Sequence, residues 1–225
     1  MARTVLVTGV NRGLGLEFVR QLSARGDHVI GTARKPQDAG DAAKFCAELL
    51  PLDVTDAASI KRLGAALSGR AIDVLINNAA ITGPDKSVTQ ATMADLQKVF
   101  TTNAVAPLVL VRTLLPNLRA GTHKRIVNIS STLGSIAVAS NGFSYAYCAS
   151  KSALNMITAK LGKELGREGF VSVTFCPGWN KTDMGGPQAP LEPKNSIASL
   201  LGVVDRLVPA DNGKYLTHEG KPIAW

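Results

Sequence analysis

Tyr147 and Lys151 stand four residues apart in a stretch of helical spacing, so a phenol and an ammonium share one helix face within reach of each other. A free tyrosine, with a pKa of about 10, is a poor proton shuttle at neutral pH. A neighbouring Lys⁺ favours the phenolate, and each tenfold gain in that ionisation is worth about 1.4 kcal/mol. The pair is a candidate for giving and retaking a proton. Ser131, which closes the run Asn128-Ile129-Ser130-Ser131, offers a hydroxyl to an oxygen that gains charge during a reaction, with Ser130 as its equally polar neighbour.

A second constellation suits phosphate. Residues 4–8 are a short apolar run that leads into Gly9-Val10-Asn11-Arg12-Gly13-Leu14-Gly15 and then into helical periodicity. Glycines at a strand-to-helix turn accept φ > 0 and let a pyrophosphate approach the positive end of the helix. The next strand ends Gly31-Thr32-Ala33-Arg34-Lys35, without the acid that would hold a ribose 2′-hydroxyl. Arg34, with Arg12 inside the turn, can instead clamp a 2′-phosphate, which favours NADPH/NADP+ over NADH.

The elements that must position these groups alternate in period. Strands are expected at residues 3–8, 28–33, 49–53, 72–77, 125–130, 171–176 and 214–217, several of them apolar on both faces as in a parallel sheet covered on each side. Leu14, Phe18 and Leu22 mark one face of a first helix that Gly26 stops. Asp56 is placed to cap the helix carrying Ile60, Leu63 and Leu67, and Thr89 or Thr92 to cap a long helix running toward Leu118. Another helix is expected over 145–167, ending at Gly169, and residues 187–193 read as a surface loop. The fold class is α/β.

The 225 residues suit one domain, and 45% hydrophobic with 19% charged residues excludes a disordered chain. The net charge of +8 is spread singly among acids, apart from Arg119, Lys124 and Arg125, with no interleaved aromatics, so no nucleic-acid partner is expected. The apolar stretch 104–111 is broken by Pro107 and far shorter than the roughly 20 residues of a membrane helix, so neither a membrane partner nor a targeting segment is expected. Cys46, Cys148 and Cys176 lack the spacing of metal or redox pairs, and His28, His123 and His218 are dispersed. Reduced thiols, a cytoplasmic location and no metal follow as expectations, with Cys148 and Cys176 as buried filler and Tyr145 as a surface or pocket ring.

The chain resembles the short-chain dehydrogenase/reductase family over nearly its whole length. The resemblance rests on the turn from Thr8 to Gly15, on Asn77-Asn78-Ala79-Ala80, on Tyr147-Cys148-Ala149-Ser150-Lys151, and on Pro177-Gly178 with Thr182. It implies a single-domain Rossmann fold over 1–225, a doubly wound parallel sheet of about seven strands flanked by helices. It also implies a catalytic set of Asn103, Ser131, Tyr147 and Lys151, with Asn103 supporting a water and lysine relay and Lys151 holding the nicotinamide ribose. By the same resemblance Asp53 contacts the adenine and Thr182 the carboxamide. Further cofactor contacts fall at Gly9, Asn11, Arg12, Gly13, Leu14, Gly15, Arg34, Val54, Asn77, Ala79, Pro177, Gly178 and Asn180.

Within the family, the turn, Trp179 with Lys181-Thr182-Asp183-Met184-Gly185-Gly186, and the ending from Gly213-Lys214-Tyr215-Leu216 to Trp225 look like the sniffer and C-factor branch. Asn180 stands where an apolar residue is usual, and Ala80 replaces a glycine. Residues 132–144 form a slightly long segment and the substrate loop around 183–195 is short, which implies an open substrate site. The expected activity is hydride transfer from NADPH to a small aldehyde or ketone, with alcohol oxidation as its reverse. A nucleotide-binding signalling protein of C-factor type, with incidental catalysis, and a reductase of a C=N substrate are the alternatives. Relatives of this kind pair through two long helices, so a homodimer or homotetramer is expected.

Overall fold

The computed structural model describes residues 2–138 and 143–225. Among these, seven strands, β1 (Thr4–Thr8), β2 (His28–Ala33), β3 (Glu48–Pro51), β4 (Val74–Asn77), β5 (Arg125–Ile129), β6 (Val171–Cys176) and β7 (Tyr215–Thr217), form one parallel sheet in the order β3-β2-β1-β4-β5-β6-β7. The order reverses between β1 and β4. The crevice at their carboxyl ends is where a doubly wound sheet binds its ligand.

Helices cover the two faces: α1 (Gly13–Ala24), α2 (Ala42–Phe45), α3 (Ala57–Ala66), α4 (Met93–Phe100), α5 (Ala106–Ala120), α6 (Tyr145–Leu165) and α7 (Pro193–Asp205). Alternation along each strand feeds two cores. Val5 and Val7 pack with Phe18 and Leu22 of α1 and Leu200 and Leu201 of α7, whereas Leu6 and Leu75 pack with Ile60 and Leu63 of α3 and Leu110 and Leu114 of α5.

The local stop and start signals operate as the residue types require. Gly26 takes φ +80° just past α1, and Asp56 accepts from the amides of Ala58 and Ser59 at the start of α3. Of the two candidate threonines, Thr92 caps α4 by accepting from Asp95 N. Gly169, at φ +86°, ends the turn that follows α6.

The long helix expected to run toward Leu118 is present from Met93 to Ala120, but it is not regular throughout. Thr101–Val105 form a π-helical segment between α4 and α5. Pro107, which has no amide to donate, stands within the first turn of α5, where the missing donor is tolerated. The run Met93–Ala120 is long and apolar enough to cross a membrane by length and composition, but half of its most apolar window is buried within the fold, with Leu110, Val111, Leu114 and Leu118 in the core. Strand ends also shift: β3 stops at Pro51 and β5 at Ile129, which leaves Asp53, Ser130 and Ser131 beyond the sheet edge on the crevice side.

Candidate active site

The crevice is a cleft of about 1080 Å³, lined from the glycine turn at one end to Tyr147 and the segment after β6 at the other. Gly9 and Gly13 adopt φ +71° and +56°, and the amides of Gly9 and Val10 donate to Thr32 O at 2.9 and 3.1 Å. A Cβ at Gly15 would overlap Gly9 O, so the third glycine permits the close approach of helix to strand. Arg12 precedes α1 without capping it, and no acid occupies the first turn. The positive end of α1 is thus open toward Gly9, Asn11, Arg12, Gly13, Leu14 and Gly15, all of which line the cleft.

Arg34, Asp53 and Val54 line the same end. Asp53 accepts from the hydroxyl and amide of Thr55 at 2.7 and 2.9 Å, and these bonds, with a smaller contribution from Arg34, hold its carboxyl below the usual range. An open helix end, a glycine cradle that side chains would fill, and two guanidinium groups fit a dinucleotide carrying a 2′-phosphate.

One expected contact is displaced by a single residue. Asn77 is buried and does not line the cleft; its Nδ2 donates to Asn128 Oδ1 at 2.8 Å across the sheet. Asn78 lines it instead, donating through Nδ2 to Thr8 O and Gly9 O at 2.9 and 3.2 Å. Thr8 Oγ1 returns the contact by accepting from the amides of Asn78 and Ala79, each at 3.0 Å. Strand parity decides this, since successive side chains point to opposite faces.

Ser131, Tyr147 and Lys151 converge. Ser131 Oγ, beside the Tyr147 side chain, accepts from Leu133 N at 3.2 Å, whereas Ser130 Oγ is buried without a partner. Tyr147 is 7% exposed and meets Phe143 edge-on at 5.3 Å between ring centroids. Lys151 lies 2% exposed, its Nζ 5.5 Å from the Tyr147 ring centroid and donating to Ile129 O at 2.7 Å.

The electrostatics depart from the sequence expectation. Burial raises the Tyr147 pKa above that of a free phenol, and the neighbouring Ser131 hydroxyl offsets only part of that rise. Burial likewise pulls the Lys151 amine down to about 7. The i,i+4 pair is in place, but desolvation outweighs the attraction that was to favour the phenolate.

Asn103 is not on the cleft surface. The π-helical segment turns it inward, where its Nδ2 donates to Ile81 O at 2.9 Å and to Ser150 Oγ at 3.0 Å, and its Oδ1 accepts from Ile81 N at 3.0 Å. It clamps the backbone behind Ala79, Ala80 and Ile81, which themselves line the cleft. Functional sites often carry such π segments.

Past β6, Pro177, Gly178, Asn180 and Thr182 line the opposite wall, with Gly178 at φ +78°. The unusual Asn180 is buried and staples this turn, its Nδ2 donating to Pro177 O and Gly178 O at 2.8 and 3.0 Å. The short loop that follows is tied back by Lys181 N to Leu191 O at 2.9 Å, and Asp183 pairs across the cleft mouth with Arg12 at 2.7 Å.

Sequence reasoning missed several cleft residues. Phe143, Trp179 and Met184 form an apolar rim, and Cys176, expected as filler, lines the cleft and accepts from Thr132 N and Gly178 N at 3.2 and 3.4 Å. Trp179 and Met184 entered the sequence reading only as marks of a branch resemblance, and Phe143 carried no signal at all. Tyr145 is an exposed surface ring outside the cleft. Of the slightly long segment 132–144, residues 139–142 lie outside the described ones.

A family model described as short chain dehydrogenase matches residues 3–192. The C-signal protein of Myxococcus xanthus is 40% identical over 154 residues, which span 68% of this chain and 93% of that protein. The NADPH-bound carbonyl reductase from chicken fatty liver superposes with a TM-score of 0.93 at 37% identity, over 100% of this chain and 99% of that one. The carbonyl reductase Sniffer of D. melanogaster gives a TM-score of 0.93 at 33% identity, over 100% of both chains.

Proposed function

The chain belongs to the short-chain dehydrogenase family, and on that footing we propose that it is an NADPH-dependent reductase of small carbonyl compounds, running in reverse as an alcohol dehydrogenase. The observation that carries this reading is the convergence of Ser131, Tyr147 and Lys151 at one end of a cleft whose other end is a glycine turn on an uncapped helix. The likeness to NADPH-bound carbonyl reductase supports both the cofactor and the substrate class.

Arg12 and Arg34 hold the 2′-phosphate, the glycine turn takes the pyrophosphate, and Asn180 and Thr182 flank the nicotinamide. Bound NADPH supplies hydride to the carbonyl carbon. Ser131 donates a hydrogen bond to the carbonyl oxygen as charge gathers there. Tyr147, kept protonated by its buried setting, delivers the proton that completes the alcohol. Lys151, with its amine near 7, exchanges a proton beside that ring at neutral pH. Asn103 acts one layer back, by fixing Ile81.

The decisive measurement is loss of NADPH absorbance with a panel of aldehydes, ketones, quinones and cyclic imines, repeated for Tyr147→Phe. Turnover on a carbonyl compound is expected, with a loss of about 10²-fold or more in the variant. A variant with wild-type turnover would remove Tyr147 from the mechanism. The 40% identity to C-signal favours a second reading, a nucleotide-binding signalling protein with incidental catalysis. Tight NADPH binding with no turnover across the whole panel would select it.

A cytoplasmic homodimer or homotetramer completes the reading. Val105 and Leu108 before and within α5, and Met156 on α6, are apolar and exposed where the two long helices would pair. A monomer mass by light scattering would refute the assembly.

A further inference from the structure

Asp85 belongs to no motif, yet it is the one carboxylate with no exposed surface among the described residues. It sits in the loop between β4 and α4 and reaches the start of α6. Its Oδ1 accepts from Ser144 Oγ at 2.6 Å and its Oδ2 from Ala146 N at 3.0 Å. Ser144 Oγ in turn accepts from Tyr147 N at 3.0 Å as the cap of the helix.

We infer that Asp85 is a positioning residue for the reaction, fixing the first turn of α6, and with it the Tyr147 ring, against the loop that walls the cofactor. This inference rests on the reading of Tyr147 as the proton donor. The loop carrying Asp85 begins with Ala79, Ala80 and Ile81 on the cleft surface, and Asn103 clamps Ile81 at both its amide and its carbonyl. One short segment is therefore fastened at two points. Its near end meets the cofactor side, and its far end holds the backbone from which the phenol projects.

Two further features support a built contact. A Cβ at Gly83 would overlap both Asp85 Oδ1 and Ser144 Oγ, so a glycine makes room for the pair. Burial opposes charge on Asp85, but the Ser144 and Ala146 hydrogen bonds win and hold its carboxyl below the usual range. The result is an anion seated at the positive end of α6, where the helix dipole stabilises it.

The test compares Asp85→Ala, Asp85→Asn and Ser144→Ala in the full-length protein. Misplacing the reacting ring by a fraction of an ångström should lower kcat about 30-fold in Asp85→Ala while the Kd for NADPH, read by fluorescence, changes less than about twofold. Asp85→Asn keeps an acceptor for Ala146 N and a partner for Ser144, and should recover kcat to within about threefold. Amide exchange at Ala146 and Tyr147 should accelerate about tenfold or more in Asp85→Ala, with no change at Leu161 or Leu165 at the far end of α6.

The chain has three tyrosines, so ring-¹³C labelling resolves Tyr147 once Tyr147→Phe assigns it; its resonance should move in Asp85→Ala and return in Asp85→Asn. Should Asp85→Ala not fold, Ser144→Ala removes one link of the chain and should give a loss of about fivefold in kcat with the same unchanged NADPH affinity. Wild-type kcat per NADPH-binding site in a folded Asp85→Ala, or an unmoved Tyr147 resonance, overturns the inference. A wild-type chain that reduces no carbonyl compound would instead sink the reductase reading, while exchange and the ring resonance still decide whether Asp85 places Tyr147.

Discussion

At the amino-terminal ends of β1 and β4, Asp73 accepts from Thr4 N at 2.9 Å and from the amide and hydroxyl of Thr122 at 2.8 and 2.9 Å, and nearby Arg3 pairs with both Asp27 and Asp205. At the carboxyl ends of the same sheet, the first turn of α1 is uncapped, Ser130 Oγ and Asn180 Oδ1 are buried without partners, and Lys151 is buried with one backbone carbonyl as its acceptor. The strands are the same; the chemistry at their two ends is opposite. At the first end Asp73 and Arg3 are paired within the fold and stabilise it. The other leaves polar groups unpaired beside the cleft, at a cost to stability that sites adapted to function commonly carry.

Lys151→Met breaks this contrast most sharply. We expect a loss of about 10²-fold or more in kcat together with a melting temperature equal to or above wild type, because an apolar side chain replaces a desolvated amine. The pH dependence follows from the depressed amine pKa. Between about 7 and the unfolded value of about 10.4, the unfolded chain binds more protons than the folded one, so stability rises with pH there, and Lys151→Met should flatten that rise. A variant that loses stability would place Lys151 with the stabilising end.

Asp73→Ala is the mirror experiment. It strands several buried donors and should cost about 3 kcal/mol in denaturant unfolding, with kcat per folded molecule unchanged. Burial alone would raise this carboxyl, but the hydrogen bonds from Thr4 and Thr122 hold it well below the usual range. Its stabilisation is therefore present above the unfolded value of about 3.9 and lost as pH falls through the folded one, so wild-type stability should drop below about pH 4 and the variant's should drop less.

Smaller effects sharpen the cofactor end. Arg34→Ala should raise the Kd for NADPH about tenfold and leave that for NADH nearly unchanged, through loss of a charge-assisted contact to the 2′-phosphate. Asp183→Asn should move stability by less than about 0.5 kcal/mol, because its ion pair with Arg12 is 73% and 71% exposed on the two sides. By releasing Arg12, it should tighten NADPH modestly in the same titration.

The strands, the caps at Asp56 and Thr92 and the stops at Gly26 and Gly169 were legible because each rests on local chemistry: β-branched runs, side-chain acceptors and positive φ. The π-helical segment was not, since the apolar spacing through residues 93–118 satisfies a regular helix, while the contact the segment makes, Asn103 to Ile81, spans 22 residues of chain. Choosing between Asn77 and Asn78 required the exact end of β4. Asp85, beside Gly83 and Pro84, carries no signal in the sequence, because nothing local reveals that Ser144 and Ala146, 59 and 61 residues away, lie against it.

By itself the sequence determined the inventory of chemistry: a phenol and an amine on one helix face, a hydroxyl at a strand end, and a glycine turn flanked by arginines. Those depend on residue type and short spacing, which a chain carries with it however it folds. Only the tertiary structure decided the protonation of that inventory. Desolvation is a sum over neighbours brought from distant segments, so the fold alone lowers the Lys151 amine to about 7 and keeps Tyr147 a neutral acid.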